Sequence, residues 1–209
     1  MRAVRAVVAF AAFALMAGCG SASQPAEVPK LLTRAEADAR TVVPFTRGVR
    51  LDKAGRIVDV TFDLPPAVPP AIPSLKIGFR LQAQDVKPLL AEAERIRDVG
   101  VPARVRLERL EGDHATSVRL MTTAPGGRSM EPLPPDGHVG KLVQGKVESG
   151  MLIEAGLYSQ DVSYHMLQLA DAGLLDAGRY HLTVDLLEDR PQLNDILAEF
   201  IVGFQLLGK

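Results

Sequence analysis

The amino-acid sequence predicts a mainly β chain folded as an antiparallel β-sandwich with one or two short helices. Several segments alternate apolar and polar residues with the period of two that a half-buried strand requires. Proline and glycine clusters punctuate them, and few helical stretches lie between them, which favours antiparallel pairing over a parallel βαβ sheet.

Taken in order, Val60, Phe62 and Leu64, in a run beginning at Ile57, form the first stripe, with Asp59, Thr61 and Asp63 opposite. Leu75, Ile77, Phe79 and Leu81 then alternate with Lys76, Gly78 and Arg80, and Val101, Ala103, Val105 and Leu107 alternate with Arg104, Arg106 and Glu108. Shorter strands are expected over 118–121 and 141–147, with a mixed run over 162–169. Near the C-terminus Tyr180, Leu182, Val184 and Leu186 oppose Arg179, His181, Thr183 and Asp185, and a last strand sets Phe200, Val202, Phe204 and Leu206 on one side. Seven to nine strands are expected, and stripes of this kind need a second layer to cover them.

The main helix falls over 85–98, where Val86, Leu89, Leu90, Ala93 and Ile96 recur at helical spacing, Asp85 offers an N-cap, and Gly100 and Pro102 close the run. Thr33 and Glu36 have the spacing of a capping box, which predicts a shorter helix over 33–40. Pro65, Pro66, Pro69, Pro70 and Pro73 cannot supply a ladder with donors, so that stretch is read as an extended hinge between two strands. Residues 125–140 form a long turn-rich excursion.

In the stretch 176–182, Asp176 stands four residues before Tyr180, with Ala177 and Gly178 making the turn and Leu182 two residues beyond. This spacing resembles the tyrosine corner of immunoglobulin-like domains, where the phenol hydroxyl returns to the backbone upstream as a strand begins. It gives the sandwich an immunoglobulin-like reading. Leu182 stands where an antibody domain has cysteine, and the chain has no tryptophan.

At the N-terminus Arg2 and Arg5 precede an apolar run from Ala6 to Met16, followed by Ala17, Gly18 and Cys19. The run is shorter than the roughly 20 residues a membrane span needs and is read as a cleaved export signal. Leu15, Met16, Ala17, Gly18 and Cys19 resemble the lipobox of bacterial lipoproteins, with Met16 in the subsite that usually holds leucine. The resemblance implies recognition of Leu15 to Gly18 by the signal peptidase. It also implies a diacylglycerol on the Cys19 sulfur and a further acyl chain, such as palmitate, on its amine; one chain alone binds a membrane only marginally. Cys19 is the chain's only cysteine, so no disulfide is available. The same resemblance implies an outer-membrane location with the body facing the periplasm, since Gly20 stands where an aspartate often retains such lipoproteins in the inner membrane. The expected organisation is therefore a signal peptide at 1–18, a lipidated cysteine and polar tether at 19–30, and a β-sandwich domain at 31–209.

Removing residues 1–18 takes away Arg2 and Arg5 and no acidic residue, so the net charge of −1 on the whole 209-residue chain becomes −3. So balanced a charge argues against a nucleic-acid partner. No G-x-S-x-G elbow, Walker A loop, dinucleotide glycine fingerprint or H-E-x-x-H occurs. His114, His138, His165 and His181 stand 24, 27 and 16 residues apart, never at a local ligand spacing, and no metal site is assigned. His114 and His138 are expected in loops and His181 on the outer face of its strand. Asp185, Glu188 and Asp189 beside Arg190 are read as a solvated turn. Arg104 and Arg106 share an outer face and could meet an acidic partner, and an exposed edge strand or the 125–140 loop is the expected place for partner binding. No catalytic residue and no cofactor are expected.

Two blocks, 100–107 (GVPARVRL) and 175–184 (LDAGRYHLTV), the second continuing through 187–193 (LEDRPQL), resemble a family of uncharacterised Gram-negative lipoproteins that carry an immunoglobulin-like domain of unknown function. The resemblance implies fold and location and brings no activity. The functional expectation is a membrane-anchored, non-catalytic protein-interaction module, with toxin immunity as its most concrete version. The alternatives are a structural or assembly lipoprotein of the envelope or of a secretion apparatus, and a hydrolase whose site is assembled in space.

Overall fold

The computed structural model describes residues 29–67, 73–124 and 129–206. Among them the chain runs α1 (Arg34–Ala39), β1 (Phe45–Val49), β2 (Gly55–Leu64), β3 (Pro73–Ala83), α2 (Val86–Val99), β4 (Ala103–Glu111), β5 (His114–Ser117), β6 (Met121–Thr123), β7 (Met130–Pro132), β8 (His138–Val139), β9 (Val143–Gly145), α3 (Ser149–Glu154), β10 (Ser163–Gly173), β11 (Gly178–Leu186) and β12 (Ala198–Leu206). Two antiparallel sheets form a sandwich. One has the order β1-β12-β3-β10-β6-β7, with β9 also on β10; the other has the order β2-β11-β4-β5, with β8 also on β4.

The inward stripes read from the sequence meet between the sheets. Phe62 from β2 stacks on Tyr180 from β11 with ring centroids 5.9 Å apart, and meets Phe45 from β1 at a tilt of 54° with centroids 5.3 Å apart. Phe79 and Phe200, register partners on β3 and β12, meet edge to face at 6.3 Å. One continuous core results, and α2 joins it through Leu89, Ala93 and Ile96. The apolar face of this helix is narrower than its spacing suggests, for Val86 and Leu90 are exposed. Leu90, one residue on from Leu89, is rotated about 100° around the axis and so falls on the flank.

β3 departs most from expectation. Its alternation is real, but both of its faces are buried. On the outer face Ala37 from α1 and Leu152 from α3 join Leu157, Met166 and Ile201 in a second, smaller cluster. α1 is fixed by the capping box, with the Glu36 amide donating to the Thr33 hydroxyl and the Thr33 amide to the Glu36 carboxylate at 2.7 Å. α3, the third helix, was not anticipated: it follows a β9 that is only three residues long, where a strand over 141–147 was expected. The Glu148 amide donates to the Phe204 carbonyl of β12 and so ties the chain to the sheet just before α3 begins.

The strands number twelve among the described residues rather than seven to nine, because five of them are two to four residues long. The expected strand over 118–121 does not form: residues 118–120 lie between β5, which ends at Ser117, and β6, which begins at Met121. The 125–140 excursion contains β7 and β8, which pair with β6 and β4.

Candidate functional site

Cys19 and the flanking Leu15, Met16, Ala17 and Gly18 lie outside the described residues. No helix among the described residues is long and apolar enough to cross a membrane.

At the start of β11 the Tyr180 hydroxyl donates to the Asp176 carbonyl at 2.8 Å, the contact that defines a tyrosine corner. Burial pushes this hydroxyl above its ordinary range, so it stays a neutral donor. Tyr180 is 1% exposed and belongs to the core, which makes the pair a structural device.

The structure separates the other residues singled out from the sequence. His114 and His138 sit on the short strands β5 and β8, not in loops, because two parts of the β4–β9 connection return to pair with β4. His181 does face outward, with Nε2 2.8 Å from Asp59 and Nδ1 3.7 Å from Glu108. The hydrogen bond from His181, reinforced by Arg56, holds the Asp59 carboxyl below its usual range. His165 lies on β10 with its Nε2 buried and unpartnered, and burial, helped by the charge of Arg97, lowers its pKa. Asp185 pairs with Arg56, Glu188 with Arg190, and Asp189 accepts from the Ala54 amide, so these three carboxylates do not converge. Among the described residues no cluster of three or more His, Cys, Asp or Glu side chains is placed to hold a metal ion.

Two buried polar clusters escaped the sequence reading. On the covered face of β3, Asp171 accepts from Lys76, from the Ser74 hydroxyl at 2.6 Å and from the Gly173 amide at 2.8 Å. Burial alone would raise the Asp171 pKa, but these donors and the Lys76 charge outweigh it and the carboxyl is held low. Ser74 is 2% exposed and bonded to a carboxylate, a setting that ties strands together. Nearby, Glu199 accepts from Arg80 Nε at 2.8 Å, Arg80 Nη2 at 2.6 Å and Arg34 Nη1 at 3.1 Å. Arg80 also donates to the Leu157 carbonyl at 2.7 Å and lies 4.5 Å from the Tyr164 ring centroid. Its donors are aimed at protein partners.

Among the described residues a candidate recognition surface lies beside β4. On one side β4 is paired along its length with β11; on the other, β8 covers Ala103 and Arg104 while β5 covers residues from Glu108 to Glu111. Between β8 and β5, on that side alone, Val105, Arg106 and Leu107 have no ladder partner. Single bonds frame the gap, with the Val105 amide donating to the Gly137 carbonyl at 2.9 Å and the Val118 amide to the Leu107 carbonyl at 2.8 Å. The chain diverges here because Pro134 and Pro135 interrupt it before β8. Gly137 has φ +78°, and an added Cβ would fall 2.2 Å from the Val105 oxygen, so only glycine fits this approach.

A groove of about 590 Å³ opens at this gap. Val118, Leu120 and Leu133 give it an apolar floor, the prolines a rigid wall, and Arg106 and Arg119 exposed cations. The sequence pointed to Arg106 and to the 125–140 excursion, and the structure brings the two together. Arg104 lies on the same face, one position outside the lining, with its Nε buried and unpartnered. Arg109 is held by Glu111 and Asp176. Arg119 had no sequence signal, because only the folding back of residues 117–120 along β4 sets it beside Arg106.

No family model matches the chain, and no curated protein matches it. A crystal structure of a protein from Sulfurospirillum deleyianum is similar at a TM-score of 0.43 and 9% identity, covering 78% of this chain and 97% of that one. No functional assignment follows from it.

Proposed function

We propose that this chain is a lipid-anchored envelope protein whose sandwich is a non-catalytic protein-binding module, with the groove beside β4 as its binding surface. The observation that carries the reading is the interrupted edge of β4, where a rigid scaffold presents an apolar floor and exposed arginines between two short strands. Binding sites sit on such loop-built surfaces held by a fixed scaffold. The lipobox-like run ending at Cys19 supports anchoring to the outer membrane and presentation to the periplasm. Toxin immunity is the most concrete form of the module, and a toxin or secretion gene beside its own gene would be its mark.

The test is affinity capture of the tagged full-length chain from detergent-solubilised membranes, with Val118→Trp as the groove-filling variant. The module reading expects a defined partner that the wild type retains and the variant loses. A partner retained equally by both, or none retained by the wild type, would overturn the groove as the binding surface.

A further inference from the structure

We infer that the occupant of the groove is an extended, acidic segment of the partner protein, in which carboxylates alternate with small apolar side chains. The inference deepens the proposed function and rests on it. Three features converge. An extended chain turns successive side chains to opposite sides, so one with period-two alternation can send apolar groups to Val118, Leu120 and Leu133 and carboxylates outward to the rim. The rim supplies their partners, since Arg106 and Arg119 are both exposed and neither is ion-paired among the described residues. Among the described residues that line the groove the one carboxylate, Glu108, faces His181 across the sheet at 3.7 Å.

Because the Val105 amide and the Leu107 carbonyl already pair with Gly137 and Val118, the occupant is held through its side chains rather than as a strand added to β4. Arginine reads carboxylates through its planar fork of donors, and such cations raise the association rate of an acidic partner at low salt.

The experiment is a fluorescence-anisotropy titration of the full-length chain in detergent with three short labelled peptides. One alternates Glu with Val, one Lys with Val, and one Glu with Ser. The Glu-Val peptide should bind about tenfold or more tightly than either of the others and weaken as salt is raised. Arg106→Glu with Arg119→Glu should invert the charge preference, so that Lys-Val binds best. Lys87→Glu with Lys146→Glu, the same charge change placed away from the groove, should leave the order intact. All four positions are exposed, so folding is not at stake.

Equal binding of Glu-Val and Lys-Val, or an order that the Arg106 and Arg119 reversals leave unchanged, would overturn the acidic occupant. If Val118→Trp still abolishes partner capture in that event, the groove stands and only its occupant is wrong. If capture is also insensitive to Val118→Trp, both readings fall.

Discussion

Replacing Glu199 with leucine strips a buried arginine of its counter-ion, and its cost can be worked from the contacts. The Glu199 carboxylate receives two donors from Arg80 and one from Arg34. The Arg80 side chain is 5% exposed, and without Glu199 it keeps, among the described residues, the Leu157 carbonyl and the Tyr164 ring face. Removing one partner of a buried pair costs about 3–5 kcal/mol, because the remaining charge is left uncompensated. The Arg34 contact involves a half-exposed guanidinium and adds about 0–1 kcal/mol. In a domain of this size the loss corresponds to a fall in Tm of about 6–24 °C. Arg80→Met combined with Glu199→Leu leaves no buried charge at this site, and such apolar replacements are about neutral or stabilising by ~1–4 kcal/mol, less ~1–3 kcal/mol for the Leu157 carbonyl left unpaired. The double variant should therefore recover most of the stability lost by the single one. Urea unfolding of the purified protein followed by circular dichroism measures both. A single variant within about 1 kcal/mol of wild type, or a double variant no more stable than the single, would refute the reasoning.

Gly137→Ala should destabilise by about 1–3 kcal/mol, since it combines a strained φ with a backbone clash, and should loosen the groove wall; thermal unfolding reads the first effect and Val118-dependent capture the second. Acid should act in two windows. His165 is held neutral in the folded state, so stability falls as pH drops below its unfolded value of about 6.5; the lowered Asp171 pKa contributes stability that is complete above about 3.9 and lost as pH falls further. Urea midpoints measured against pH should show both, and His165→Leu should flatten only the upper window. Cys19→Ser should move the protein from the membrane to the soluble periplasmic fraction with its melting curve unchanged, as read by fractionation and circular dichroism.

The sandwich was legible because its inward stripes are local. Tyr180, Leu182 and Val184 alternate within one strand, and their burial needs no knowledge of what lies opposite. Capping at Thr33 and Glu36 and the stop at Gly100 are equally local. Lys76 and Arg80 read as solvent-facing because their partners are distant, Asp171 lying 95 residues from Lys76 and Glu199 119 residues from Arg80. Nothing in their own segment reports that α1 and α3 will cover that face. The groove was half legible for the same reason. Arg106 and the proline-rich excursion each drew notice as possible partner surfaces, but pairing of β5 and β8 with separate stretches of β4 is a tertiary event, and it alone leaves the gap and recruits Arg119.

The central claim is that the body meets a partner at the groove while anchored, and in-cell photo-crosslinking tests it most directly. A photoreactive side chain replaces Val118 in the groove or, as the control, exposed Glu94 on α2, each in wild-type and Cys19→Ser chains. The account predicts one discrete adduct from position 118, recovered with the membrane and diminished when Cys19 is replaced, and none of that size from position 94. No adduct from position 118, or the same adduct from both positions, would contradict it.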